Sequence, residues 1–130
     1  MIGKASDNAE AARMLLGLGW RYPDAAANRL YYALYHAGWA FLRKCNQSVP
    51  CHKSGRYFQH EEMDDLLIQE EFQTRLSLKP DWDEDWAALR ALRVKADYLP
   101  DSVGLEDLSP DLFDFVDEVI RKVGNLTGSR

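Results

Sequence analysis

Apolar positions are densest over residues 24–44, DAAANRLYYALYHAGWAFLRK, a run with no proline and one glycine, Gly38. Wound at about 100° per residue, it separates into faces. Ala26, Leu30, Leu34, Ala37 and Phe41 fall on one side and read as core. Arg29, Tyr32, His36 and Arg43 fall within about 60° of each other on a second side, with Trp39 beside them. Tyr31, Tyr35 and Leu42 fill a third. A helix apolar on nearly every side belongs in the middle of a bundle. Its Arg, His and Tyr polar atoms then need partners there.

The flanking sequence carries the same period. Over residues 5–19, Ala11, Met14, Leu15 and Leu18 form a stripe at i, i+3, i+4, i+7. Asp7 and Glu10 have capping-box spacing, and Gly17 and Gly19 stop the helix. Pro23 suits the first turn of the second helix. Residues 45–56, CNQSVPCHKSGR, read as a long loop. A third helix is predicted over about 56–74, with Tyr57, Phe58, Met63, Leu66, Leu67 and Phe72 inward and an acidic, solvated outer face. A fourth starts after Lys79-Pro80-Asp81, buries Trp82, Trp86, Leu89, Leu92 and Ala96, and ends at Leu99-Pro100. Ser109-Pro110 opens a last helix that Gly124 closes. No stretch alternates with period two over five or more residues. The expected fold is all-α: one domain over residues 1–130, built as an antiparallel four- to five-helix bundle.

Composition adds little to that class: 46% hydrophobic and 28% charged is ordinary for a globular chain. No run approaches the roughly 20 apolar residues of a membrane span. No basic-then-apolar leader opens the sequence, so the cytoplasm is the expected compartment and no membrane partner is expected. Cys45, Cys51 and His52 fall short of a structural metal set; no metal and no cofactor is expected. Charge is uneven beneath the net −5: residues 1–58 hold eight Lys/Arg and three Asp/Glu, and residues 59–85 hold two and ten. The basic part includes the Arg29/His36 helix. It suits a nucleic acid, or equally the acidic segment of the same fold or of a partner.

Three pieces of sequence carry a family resemblance. Residues 26–42, AANRLYYALYHAGWAFL, resemble the second-helix signature of HEPN domains, in the subgroup reading roughly R-x-Y-Y-A-x-F/Y-H/Y-A-A. His52-Lys53-Ser54-Gly55 resembles the turn that follows there, and residues 93–98, RVKADY, resemble its later R-x-K-A-D-Y. Order and approximate spacing match over most of the chain. The resemblance implies a small helical bundle, pairing as a homodimer, often encoded beside a minimal nucleotidyltransferase in a toxin–antitoxin-like or defence pair. The implied ligand is RNA, a nucleotide or the partner protein.

The resemblance also implies an alternative. HEPN ribonucleases carry an R-x(4–6)-H motif, and Arg29-x6-His36 meets that spacing. Histidine works as acid or base near neutral pH, and arginine forks onto phosphate oxygens. Leu30 stands where those enzymes commonly carry a polar residue, and this pair lies in the second helix rather than a later one. The alternative structural reading pairs Arg29 with Asp97 in a polar network that includes Arg93 and Tyr98. Tyr32 and Tyr35 are candidates to stack on bases, against a plain core role. His52, Lys53 and Arg56 are candidates for a phosphate contact at the start of the third helix, against a plain cap and turn. A helical dimerisation or adaptor protein without ligand is the remaining class.

Overall fold

A computed structural model describes residues 2–17, 23–45, 60–99 and 103–126. Among these residues it contains six α-helices and no strand: α1 (Ile2–Gly17), α2 (Pro23–Lys44), α3 (His60–Gln69), α4 (Phe72–Leu76), α5 (Trp82–Tyr98) and α6 (Pro110–Asn125). A single 3₁₀ turn, Leu105–Asp107, precedes α6. The all-α bundle expected from periodicity is the fold found.

α2 is the axis. α1, α5 and α6 pack around it, and α3 touches it. Ala26, Leu30, Leu34, Ala37 and Phe41 are fully buried, as their shared face required, and so are Tyr31 and Leu42. α1 corrects the sequence reading. It begins at Ile2, so Asp7 and Glu10 lie inside the helix and not at its cap. Ala5, Ala9 and Ala12 turn inward, while Met14, assigned to the core stripe, is 66% exposed. Alanines on α1 meet Ala26, Ala27 and Ala33 on α2 within one core. Small residues on both faces let two helices approach closely. Arg13 ties α1 to α6 by an ion pair with Asp117, with its guanidinium 5.3 Å from the Phe113 ring centre.

The helix predicted over 56–74 is two helices. It breaks at Glu71, which takes the left-handed conformation at φ 57°, and α4 then ends at Ser77, φ 52°. The break turns Phe72 and Leu76 into the core, where a continuous helix would have carried its acidic face around. The start of that helix, residues 56–59, lies outside the described residues. Phe72 lies edge-on to Phe41 at 4.8 Å, to Trp82 at 5.0 Å and to Trp86 at 6.0 Å between ring centres.

Two polar ties fix the frame. Arg90 on α5 donates to Asp64 on α3 at 2.7 Å. Burial works against the Arg90 charge, and Asp64 outweighs it, so its pKa rises. Lys44, at the end of α2, donates to the carbonyls of Val123 at 2.6 Å and Leu126 at 2.8 Å. The last carbonyls of a helix have no partner within it, and a cation there also meets the negative end of the helix dipole. Lys44→Met keeps the stem and removes the donor. It is expected to cost about 1–2 kcal/mol, read as a lowered urea midpoint.

Candidate functional site

Because α1, α5 and α6 enclose α2, few of its side chains reach the surface. Arg29 and Arg43 are exposed, and Asn28, Tyr32, His36 and Lys44 are part-buried. Between Tyr32 and Arg43, His36 is the one residue that is only part-buried. Arg29, His36 and Arg43 are seven apart, so they form a row with about 10 Å between neighbours along the axis. Tyr32 and Trp39 occupy the intervening turns. The row is a seam with α1 on one side and α5 on the other.

Each wall supplies polar groups. From α1, Asn8 accepts a hydrogen bond from Arg29 Nη1 at 3.3 Å, and its amide donates to the Lys4 carbonyl at 2.8 Å. From α5, Arg93 donates to the Tyr32 hydroxyl at 3.1 Å and lies 5.5 Å from that ring's centre. Arg93 Nε stands 3.0 Å from Asp97 Oδ2, and Asn28 donates to Asp97 Oδ1 at 3.1 Å. Arg43 lies 5.9 Å from the Trp39 ring centre.

His36 stacks nearly parallel to Trp39, with 6.4 Å between centres, and meets Tyr35 edge-on at 5.5 Å. Its Nδ1 is buried without a hydrogen-bond partner among the described residues. Burial lowers its pKa from the usual 6.5, and the Lys4 charge lowers it further. The fold therefore favours neutral imidazole. A histidine whose folded pKa is depressed supports stability above its unfolded pKa, and that support is lost as pH falls. The melting temperature is expected to drop between pH 7.5 and 5.5 more steeply in the wild type than in His36→Gln. Equal slopes would mean that His36 titrates as it does in the unfolded chain.

The pairing of Arg29 with Asp97 that the sequence suggested is replaced by others. Arg29 reaches Asn8, and the Asp97 carboxylate goes to Arg93 and Asn28. The two lie in one shallow recess with Asp24, Ala25, Asn28 and Ala96. The cause is register. Arg93 is one turn from Asp97 on α5 and reaches it within the helix, while Arg29 points toward α1. Tyr98 projects outward at 72% exposure. Tyr35 is 3% exposed, so its ring has no face open to a base; Tyr32 is the tyrosine at the surface. His36 is not among the residues lining the recess of Arg29. His52, Lys53 and Arg56 lie outside the described residues. Lys4, Asn8 and Asn28 were not singled out from sequence, because nothing in α1 or in Asn28 itself marks a wall of this seam.

Cys45 accepts from Arg75 at 2.9 Å, and burial raises its pKa, which keeps the thiol protonated. No helix among the described residues is long and apolar enough to cross a membrane.

A central helix with a polar seam, enclosed by an all-α bundle, defines a class of small helical modules rather than an activity. The family profile of the HEPN domain matches residues 1–126. The chain belongs to the HEPN domain family. A search of curated proteins finds no significant match.

Proposed function

We propose that this HEPN domain is a binding module for RNA or a nucleotide, working beside a minimal nucleotidyltransferase in a toxin–antitoxin-like or defence pair. The carrying observation is the seam of α2, along which Arg29, Tyr32, His36 and Arg43 reach the surface from a largely buried helix. The guanidinium groups of Arg29 and Arg43 stand about 21 Å apart along α2, so they suit separate phosphates of one strand, and the half-buried Tyr32 offers a ring edge between them. The test is fluorescence anisotropy with a short single-stranded RNA over a salt series. Binding is expected, with affinity falling as salt rises. Arg29→Ala is expected to weaken it several-fold and to reduce the salt slope by about one. No binding by the wild type at low salt would leave the adaptor reading, and unchanged binding by Arg29→Ala would move the ligand off this seam.

One observation supports a second reading, a metal-independent ribonuclease using Arg29 and His36. Burial lowers the His36 pKa, which favours the neutral form a general base needs. Against it, His36 is not among the residues that line the recess of Arg29. Cleavage would persist in EDTA, leave a 2′,3′-cyclic phosphate and vanish in His36→Ala with the fold retained. Intact RNA after incubation with the purified chain ends this reading and leaves binding untouched.

A further inference from the structure

We infer that the recess where α3 breaks into α4 docks a segment of another protein that carries arginine or lysine beside a bulky apolar side chain. The recess holds about 300 Å³, the low end of a ligand site, and so has room for one or two side chains. Its apolar lining is Ile68 in the last turn of α3, Pro80 ahead of α5, and the Phe72 and Trp82 rings, 5.0 Å apart between centres. Phe72 is sealed in the core, while Trp82 keeps 7% of its surface open. Ile68 is 63% exposed, on a helix surface that is otherwise polar at Asp65 and Gln69. Glu71 and Asp83 also line the recess, and both are exposed, so they form its rim.

Charge selects the occupant. The two cations of residues 59–85, set among ten acidic side chains, are Arg75 and Lys79. Both are engaged elsewhere: Arg75 donates to Cys45 at 2.9 Å, and Lys79 pairs with Asp85 at 2.6 Å. Glu71 and Asp83 have no ion pair among the described residues. Asp83 has a reason within the fold, since the first turn of α5 favours an anion. Glu71 follows the carbonyl end of α3, where the helix dipole disfavours a carboxylate, and the α4 it precedes is only five residues long. A cation from a partner, seated between Glu71 and Asp83, offsets both charges. An apolar side chain beside that cation covers Ile68 and the open edge of Trp82. The methylene stem of arginine or lysine suits the same ground, lying on apolar surface with its charge in water. An apolar centre with a charged rim is the anatomy of a protein contact. A nucleic acid is excluded here, because its phosphates would meet the two carboxylates. Trp82 lies about 16 Å along α5 from Arg93, which walls the seam of α2, so docking at the recess leaves the seam open.

A phage-displayed library of random octapeptides, panned on the full chain at physiological salt, tests the inference. Enriched peptides are expected to share an arginine or lysine within two residues of a leucine, isoleucine, methionine or phenylalanine. A synthetic copy of the strongest, labelled with fluorescein, is expected to shift the indole N–H resonance of Trp82. Its affinity, read by anisotropy, is expected to fall several-fold in Ile68→Ser and again in the Glu71→Gln, Asp83→Asn double variant. These side chains are exposed, so helical circular dichroism is expected to stay unchanged. Asp114→Asn, an acidic position on α6, is expected to bind as the wild type does. Serine in place of the peptide's apolar residues is expected to weaken binding several-fold, which separates docking from plain charge attraction. A library that yields no enriched peptide overturns the inference. So do enriched peptides lacking a basic or an apolar residue, a Trp82 resonance that does not move, or binding unchanged in Ile68→Ser or in the double variant.

Discussion

Replacing Phe72 with alanine is expected to destabilise the fold by about 3–5 kcal/mol, the range for a large buried aromatic cut to a methyl. Phe72 is fully buried, and three aromatic rings meet it: Phe41 from α2, and Trp82 and Trp86 from α5. Such ring pairs are worth about 0.5–1.5 kcal/mol beyond their buried area, and this substitution removes three. The five residues of α4 are too few to be helical alone. It begins and ends at left-handed non-glycine residues, Glu71 and Ser77, a conformation that L-residues adopt at a cost. Burial of Phe72 and Leu76 is what holds that strained segment in place. Urea unfolding followed by tryptophan fluorescence reads the result, because Trp82 and Trp86 report on the same cluster. A loss below about 1 kcal/mol would mean that the four-ring cluster can close over the gap, against the partial collapse typical of cores.

The same segment shows what the sequence carried and what it did not. α2, α5 and α6 were legible because each has a long 3.6-period pattern with chemical punctuation: Pro23, Lys79-Pro80-Asp81, Pro100 and Ser109-Pro110; Gly124, expected to close α6, lies inside it, and the helix runs to Asn125. α2 was legible by face in part: the five residues its periodicity sorted inward are buried, and so are Tyr31, Tyr35, Trp39 and Leu42, which it had set on the other sides. The break at Glu71 was not legible, because glutamate is a good helix former and no glycine or proline marks the turn. Tertiary burial of Phe72 overrode local preference there. α1 was misread in rotation: alanines carry a weak apolar signal beside Met14 and Leu15, yet their small size is what packs α1 on α2. The site was half legible. The Arg29, Tyr32 and His36 row follows from spacing alone. Its walls come from α1 and α5, and which of Asn8, Asn28 or Asp97 meets which arginine depends on helix register that no single helix encodes.

Gly38 is the position where a substitution in α2 is expected to cost most for its size. A Cβ built there would stand 2.8 Å from Trp86 Cη2 and 3.1 Å from Met63 Sδ. The contact with Trp86 is below any real carbon–carbon approach, so the ring must move. Trp86 is 2% exposed, with Phe72 and Trp82 against it at 6.0 and 6.2 Å. Met63, an unbranched thioether, yields more readily. Two effects oppose each other in Gly38→Ala: helix propensity favours it by about 1 kcal/mol, and overpacking costs about 1–3 kcal/mol. A net loss of about 0–2 kcal/mol is expected. Gly38→Leu puts three more carbons than alanine into the same gap with little further gain in propensity, and its expected cost is about 3 kcal/mol or more. The cause is separable from propensity by a double-mutant cycle. Trp86→Phe removes the part of the indole that Gly38 faces, so with it in place Gly38→Ala should become neutral or stabilising, a coupling of about 1–2 kcal/mol. Additive losses would place the conflict with some group other than the Trp86 ring. In that case, α2 and α5 would not owe their close approach to the missing side chain at position 38.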